Sequence, residues 1–173
     1  ALHDGYRTRV AGWYNPYCRI LPQVLDQCFW TFNTPGLSHT SPGLTVAQNL
    51  LAPFHHAITS TLSLVSRLQG IPEYNRHDAS LHQLDYTQLY SAADRLLNDT
   101  SANFVFLHMP IPHPGGIYDR TTGNFATTHS TYIDNLALAD KYLAHVRAVL
   151  EQNGTWDSST IVIMGDHSWR TSL

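Results

Sequence analysis

Two stretches of the chain carry residues able to do chemistry. One is Gly165-Asp166-His167-Ser168, and the other is Leu107-His108 followed by His113-Pro114. An ionised carboxylate beside a neutral imidazole can hold a divalent metal. An Asp-His dipeptide can equally do no more than close a turn. His108 and His113 offer imidazole N–H groups to an anionic oxygen or a proton to a leaving group. The plainer alternative makes His108 a strand terminus and His113 a loop residue.

The elements around these residues bring them together. Residues 161–164 (Ile-Val-Ile-Met) are continuously apolar and mostly β-branched, the pattern of a strand buried on both faces of a parallel sheet. Residues 103–109 (Asn-Phe-Val-Phe-Leu-His-Met) read as a second buried strand. The following Pro-Ile-Pro-His-Pro-Gly-Gly can neither continue a strand nor start a helix. Between the two strands, residues 131–152 read as a long helix with Ile133, Leu136, Ala139, Leu143, Val146 and Leu150 on one face, stopped by Asn153-Gly154. A right-handed β-α-β unit opens both strand ends on one edge. Open α/β sheets bind their ligands at that edge.

The rest of the chain extends the pattern. Residues 7–13 predict a strand centred on Val10 and Ala11. In residues 17–32 the apolar positions Ile20, Val24, Cys28 and Phe32 recur every four residues, which predicts a helix with an irregular first turn at Pro22. Residues 34–43 read as a loop, and residues 45–68 as a helix with a possible kink at Pro53. His55 and His56 are adjacent, so on a helix they point about 100° apart and do not easily share one site. Asp85 can cap a third helix whose apolar stripe runs from Tyr86 to Leu97. Residues 118–130 are polar and loop-like. This order of strands and helices predicts an α/β domain with a parallel, or mostly parallel, sheet flanked by helices.

A chain of 173 residues can bury one sizeable core. Charged residues make up 13%, the formal net charge is −3, and Lys141 is the only lysine. Neither nucleic acid nor an anionic membrane surface is an expected partner on that balance. No apolar run reaches the roughly eighteen residues of a membrane span. Cys18 and Cys28 are either a disulfide or two free thiols.

The carboxyl-terminal stretches resemble the sulfatase-type catalytic domain of the alkaline phosphatase superfamily. The run from Leu107-His108 to His113-Pro114 is similar to a loop of the phosphoethanolamine transferases and to the Pro-His loop of sulfatases. Tyr132-Ile-Asp-Asn135, Trp156-Asp157-Ser-Ser-Thr160 and Gly165-Asp166-His167-Ser168 resemble the helix start, strand lead and Ser-Asp-His-Gly segment that follow in that group. Near the start, the run from Gly5-Tyr6 to Gly12-Trp13 resembles the sulfatase segment Gly-Tyr-x-Thr-x-x-x-Gly-Lys-Trp.

The resemblance implies an alkaline-phosphatase-like fold and a metal-dependent hydrolase of sulfuric or phosphoric esters. It implies Asp166 and His167 as ligands of a divalent metal, Zn²⁺ or Ca²⁺, with Mn²⁺ or Mg²⁺ as further options. His108 and His113 would be the catalytic groups facing the ester, with Trp13 and Asn15 binding substrate. Family habit also implies an extracytoplasmic location, periplasmic, cell-envelope or secreted, with any membrane attachment through segments outside this chain. Two positions depart from the pattern. The lysine that sulfatases have before the tryptophan is absent, Gly12 directly preceding Trp13, and Ser168 stands where they have glycine.

The family's nucleophile lies upstream of the Gly-Tyr segment, and no Cys-x-Pro-x-Arg motif occurs here. The expectation is therefore a single α/β domain over residues 1–173 that is part of a larger catalytic domain, incomplete, inactive alone, and with a family-atypical helical insert at 33–100. A phosphoethanolamine-type transferase, a non-catalytic binding module of the same fold, and an unrelated α/β domain with a structural metal are the alternatives.

Overall fold

A computed structural model describes residues 5–33, 73–113, 115–126 and 128–165. The predicted helix at 45–68, the loop at 34–43, and Asp166 and His167 lie outside the described residues.

The fold is α/β. Three parallel strands, β1 (Thr8–Trp13), β2 (Gln27–Thr31) and β3 (Phe104–His108), form a sheet in the order β2-β1-β3. A short helix α1 (Tyr17–Ile20) joins β1 to β2. A long helix α2 (Glu73–Leu97) precedes β3, and α3 (Tyr132–Gln152) follows it. A small antiparallel pair, β4 (Tyr118–Asp119) and β5 (Asn124–Phe125), lies between β3 and α3.

Alternation along the strands sorts the two faces of the sheet. Ala11 packs with Phe29, Val105 and Leu107 against Leu89, Ala92, Ala93 and Leu96 of α2 and Tyr142, Val146 and Val149 of α3. The other face carries Thr8, Val10, Phe104 and Phe106, and α1 lays Tyr17 and Leu21 along it. Arg9, buried near the amino end of β1, pairs with Asp26 at 3.1 Å and Asp99 at 3.2 Å. Helix α3 starts in a capping box. The Thr131 hydroxyl accepts from Asp134 N, and the Asp134 carboxylate accepts from Thr131 N at 2.8 Å.

Four expectations are corrected. Residues 17–32 are not one helix: α1 stops at Ile20, and residues 27–31 pair with β1 as β2. A repeat of four residues suits a strand as well as a helix, since four is a whole number of strand alternations. Pro22 lacks the N–H that would continue the helix, and a Cys18–Cys28 disulfide ties α1 to β2.

Asp85 does not cap a helix. It lies inside α2, which begins at Glu73. Residues 118–130 contain the β4–β5 pair.

Residues 161–164 are not a buried strand. Ile161, Val162, Ile163 and Met164 are all exposed, Met164 to 77%, and none joins the sheet among the described residues. Their apolar, β-branched composition marks strand propensity. A strand also needs a partner beside it.

Candidate functional site

Register places the ends of the three strands side by side. Gly12 lies opposite His108, and Trp13 opposite Thr31. Because the strands are parallel, their carboxyl ends form one edge. That edge carries Trp13, Thr31 and His108, with Asn15, Asn33 and His113 in the loops just beyond.

The first anchor of this edge is Asp85 of α2, only 1% exposed. Its Oδ2 accepts the indole Nε1–H of Trp13 at 2.9 Å. Its Oδ1 accepts the Thr31 hydroxyl at 3.0 Å and the Asn33 side-chain amide at 2.7 Å. The Asn33 backbone N–H adds contacts of 3.1 Å to both oxygens. A buried carboxylate is tolerable only with its lone pairs filled in this way.

The second anchor is His82, one turn earlier on α2 and also buried. Its Nδ1 lies 2.9 Å from the Gly115 carbonyl, and its Nε2 meets the carbonyl of Pro110. These two carbonyls bracket the loop that carries His113, which includes a cis Ile111–Pro112 bond. Burial pulls the His82 pKa below that of a free imidazole, against the pull of both carbonyls. From the other side, Asn135 of α3, fully buried, donates its Nδ2–H to the His113 carbonyl at 2.8 Å and accepts Ile117 N–H at 3.0 Å.

Aromatic contacts complete the cluster. The Trp13 ring lies nearly flat on His82, with centroids 5.8 Å apart at 20°. His113 meets Trp13 edge-on at 5.0 Å, and His108 does so at 6.2 Å. On the sheet's other face, Tyr17 packs over Gly12, where any Cβ would collide with its ring. Its hydroxyl lies 2.8 Å from His108 Nδ1 and accepts from the Asn15 side chain at 3.2 Å.

The structure therefore brings together His108, His113 and Trp13, and links Asn15 to them through Tyr17. Asp166 and His167 lie outside the described residues. Sequence reasoning missed His82 and Tyr17, and named Asp85 only as a helix cap and Asn135 only as part of the Tyr132-Ile-Asp-Asn135 motif. The available signal was the spacing of His82 and Asp85: three apart on a helix puts both on one face, beside the apolar stripe.

Imidazoles at a parallel-sheet edge suit a tetrahedral oxyanion, by donating to its oxygens or protonating a leaving group, while the Trp13 N–H is committed to Asp85. Among the described residues no three His, Cys, Asp or Glu side chains converge to hold a metal ion. The described part of the edge does not by itself fit one.

A family model described as Sulfatase matches residues 29–171. No curated protein and no solved structure matches the chain. The matched span begins inside β2, runs through α2, β3, the His113 loop and α3, and covers well over half of the sequence; the chain belongs to the sulfatase family.

Proposed function

We propose that the carboxyl edge of the sheet is the ester-binding part of a sulfuric- or phosphoric-ester hydrolase built on a single α/β domain. Sulfatases act on sulfate esters and generally use a divalent metal. In this reading His108 and His113 face the ester. They donate to its non-bridging oxygens or give a proton to the departing oxygen. Trp13 and Asn15 line the same mouth. Asp166 and His167 would supply a carboxylate and an imidazole to a divalent metal, which when bound would neutralise charge on the ester oxygens.

One observation carries the reading. Trp13, His108 and His113 converge where an open parallel sheet binds ligands, and buried polar groups hold the cluster there. Burying polar side chains under a sheet edge costs desolvation free energy that an apolar contact would not.

An extracytoplasmic location is part of the proposal. Family members are often found there, and the Cys18–Cys28 bond suits an oxidising compartment. No described helix is long and apolar enough to cross a membrane.

The test uses recombinant protein produced from its own gene, with 4-nitrophenyl sulfate and 4-nitrophenyl phosphate as substrates. Turnover of one of them should disappear on chelation and return with Zn²⁺, Ca²⁺, Mn²⁺ or Mg²⁺. His113→Ala and Asp166→Ala should each lower it by about a hundredfold or more. Full activity in both variants, or no turnover of either ester, would remove the reading.

A further inference from the structure

Helix α2 meets the candidate site with His82 and Asp85, one turn apart, and with Gln88, whose Oε1 shares the Thr31 hydroxyl with Asp85 at 2.8 Å. Asp85 joins the ends of β1 and β2 through Trp13, Thr31 and Asn33, and these partners are all neutral donors. His82 lies between the two sides of the His113 loop, its ring nitrogens facing the Pro110 and Gly115 carbonyls, one of which the neutral ring serves with its single N–H, and its ring supports the face of Trp13. The same helix packs on the same sheet one and two turns further along with Leu89 and Ala93, both fully buried. An apolar contact is therefore sufficient for docking α2 on the sheet. Polar anchors occur where the helix passes the edge that carries Trp13, His108 and His113.

We infer that His82 and Asp85 are positioning residues of the ester site: Asp85 fixes the Trp13 indole, and His82 fixes the His113 loop against it. The inference rests on the proposed reading of this edge and deepens it. Neither side chain needs to touch substrate. Reacting groups must be held within fractions of an ångström, and loss of that restraint reduces turnover even where binding survives.

The comparison is between His82→Ala, His82→Gln and Asp85→Asn in recombinant full-length protein, with His113→Ala as reference. The substrate is whichever of 4-nitrophenyl sulfate and 4-nitrophenyl phosphate the wild type hydrolyses. His82→Ala and Asp85→Asn should lower kcat by about tenfold to a hundredfold with KM changed much less. His82→Gln should recover to within about threefold of wild type, because one amide NH₂ offers two N–H groups to the two carbonyls. A readout apart from turnover is the indole ¹H–¹⁵N resonance of Trp13, assigned among the four tryptophans with Trp13→Phe. Asp85→Asn should move that resonance and leave the others in place.

If Asp85→Asn does not fold, the His82 pair decides. Equal losses in His82→Ala and His82→Gln that track melting temperature would make the role structural and overturn the inference. Wild-type kcat in folded His82→Ala, with His113→Ala inactive, overturns it while leaving the ester site standing. Full activity in His113→Ala and His108→Ala removes the ester site and the inference together.

Discussion

Trp13 donates its indole N–H to Asp85 at 2.9 Å, across 72 positions of sequence. The same carboxylate accepts from Thr31 and Asn33. Asparagine in its place would keep one acceptor oxygen and turn an NH₂ toward groups that are themselves donors. Asp85→Asn should therefore cost about 2–4 kcal/mol of stability. The urea midpoint should fall at constant m-value. A loss under about 0.5 kcal/mol would show that the buried carboxylate is not holding the strand ends.

His82 predicts a pH dependence of stability. Burial lowers its folded pKa, so the unfolded chain takes up a proton more readily than the native one. Its contribution is complete above about pH 6.5, the value for a free imidazole. It is lost as pH falls below that value toward the lower folded pKa, because the unfolded state binds more protons over that window. His82→Gln should flatten that part of the curve relative to wild type. Superimposable wild-type and His82→Gln profiles between pH 4 and 7 would contradict the buried, neutral imidazole.

How far the sequence revealed this arrangement depended on how local each cause is. β1, β3 and α3 were legible because short apolar runs and a 3.6-residue stripe encode them directly. β2 was misread because every fourth residue being apolar satisfies both periods. The pairing with Arg9 to Trp13 that selects the strand is not visible locally. Residues 161–164 have the composition of a strand, yet they lie exposed. His108 and His113 could be placed near one mouth, since strand ends and Pro-rich loops announce themselves. Their anchors could not. Asp85 reads as a cap when only its neighbours are known, and His82 reads as an ordinary helical histidine. Their roles come from contacts 28 to 72 positions away.

The Cys18–Cys28 bond closes a loop of about ten residues and joins α1 to β2. Chain-entropy arguments give such a loop about 2–3 kcal/mol. Cys18→Ser with Cys28→Ser should lower the melting temperature accordingly, and reductant should do the same to wild type and nothing further to the double variant. Trp13 and Asp85 lie on the other side of β1, so the Trp13 indole resonance should stay in place. An unchanged melting temperature would mean that the bond adds no stability.

Gly12 and Tyr17 give a paired prediction at the His108 end of the edge. The Tyr17 ring occupies the space over Gly12 that a side chain would need, and its hydroxyl reaches His108 Nδ1 at 2.8 Å. Gly12→Ala would push that ring off the sheet and carry the hydroxyl with it, at about 1–3 kcal/mol of stability. Tyr17→Phe keeps the ring and removes only the hydroxyl, at about 1 kcal/mol. Both variants free His108 Nδ1 from its phenol partner, so both should shift the His108 imidazole resonances in the same direction, and ester turnover should fall in both. The two effects separate packing from orientation. If Gly12→Ala loses stability while its His108 resonances match wild type, the ring has found another seat with its hydrogen bond intact. If Tyr17→Phe leaves both His108 and turnover unchanged, the phenol does not orient the imidazole.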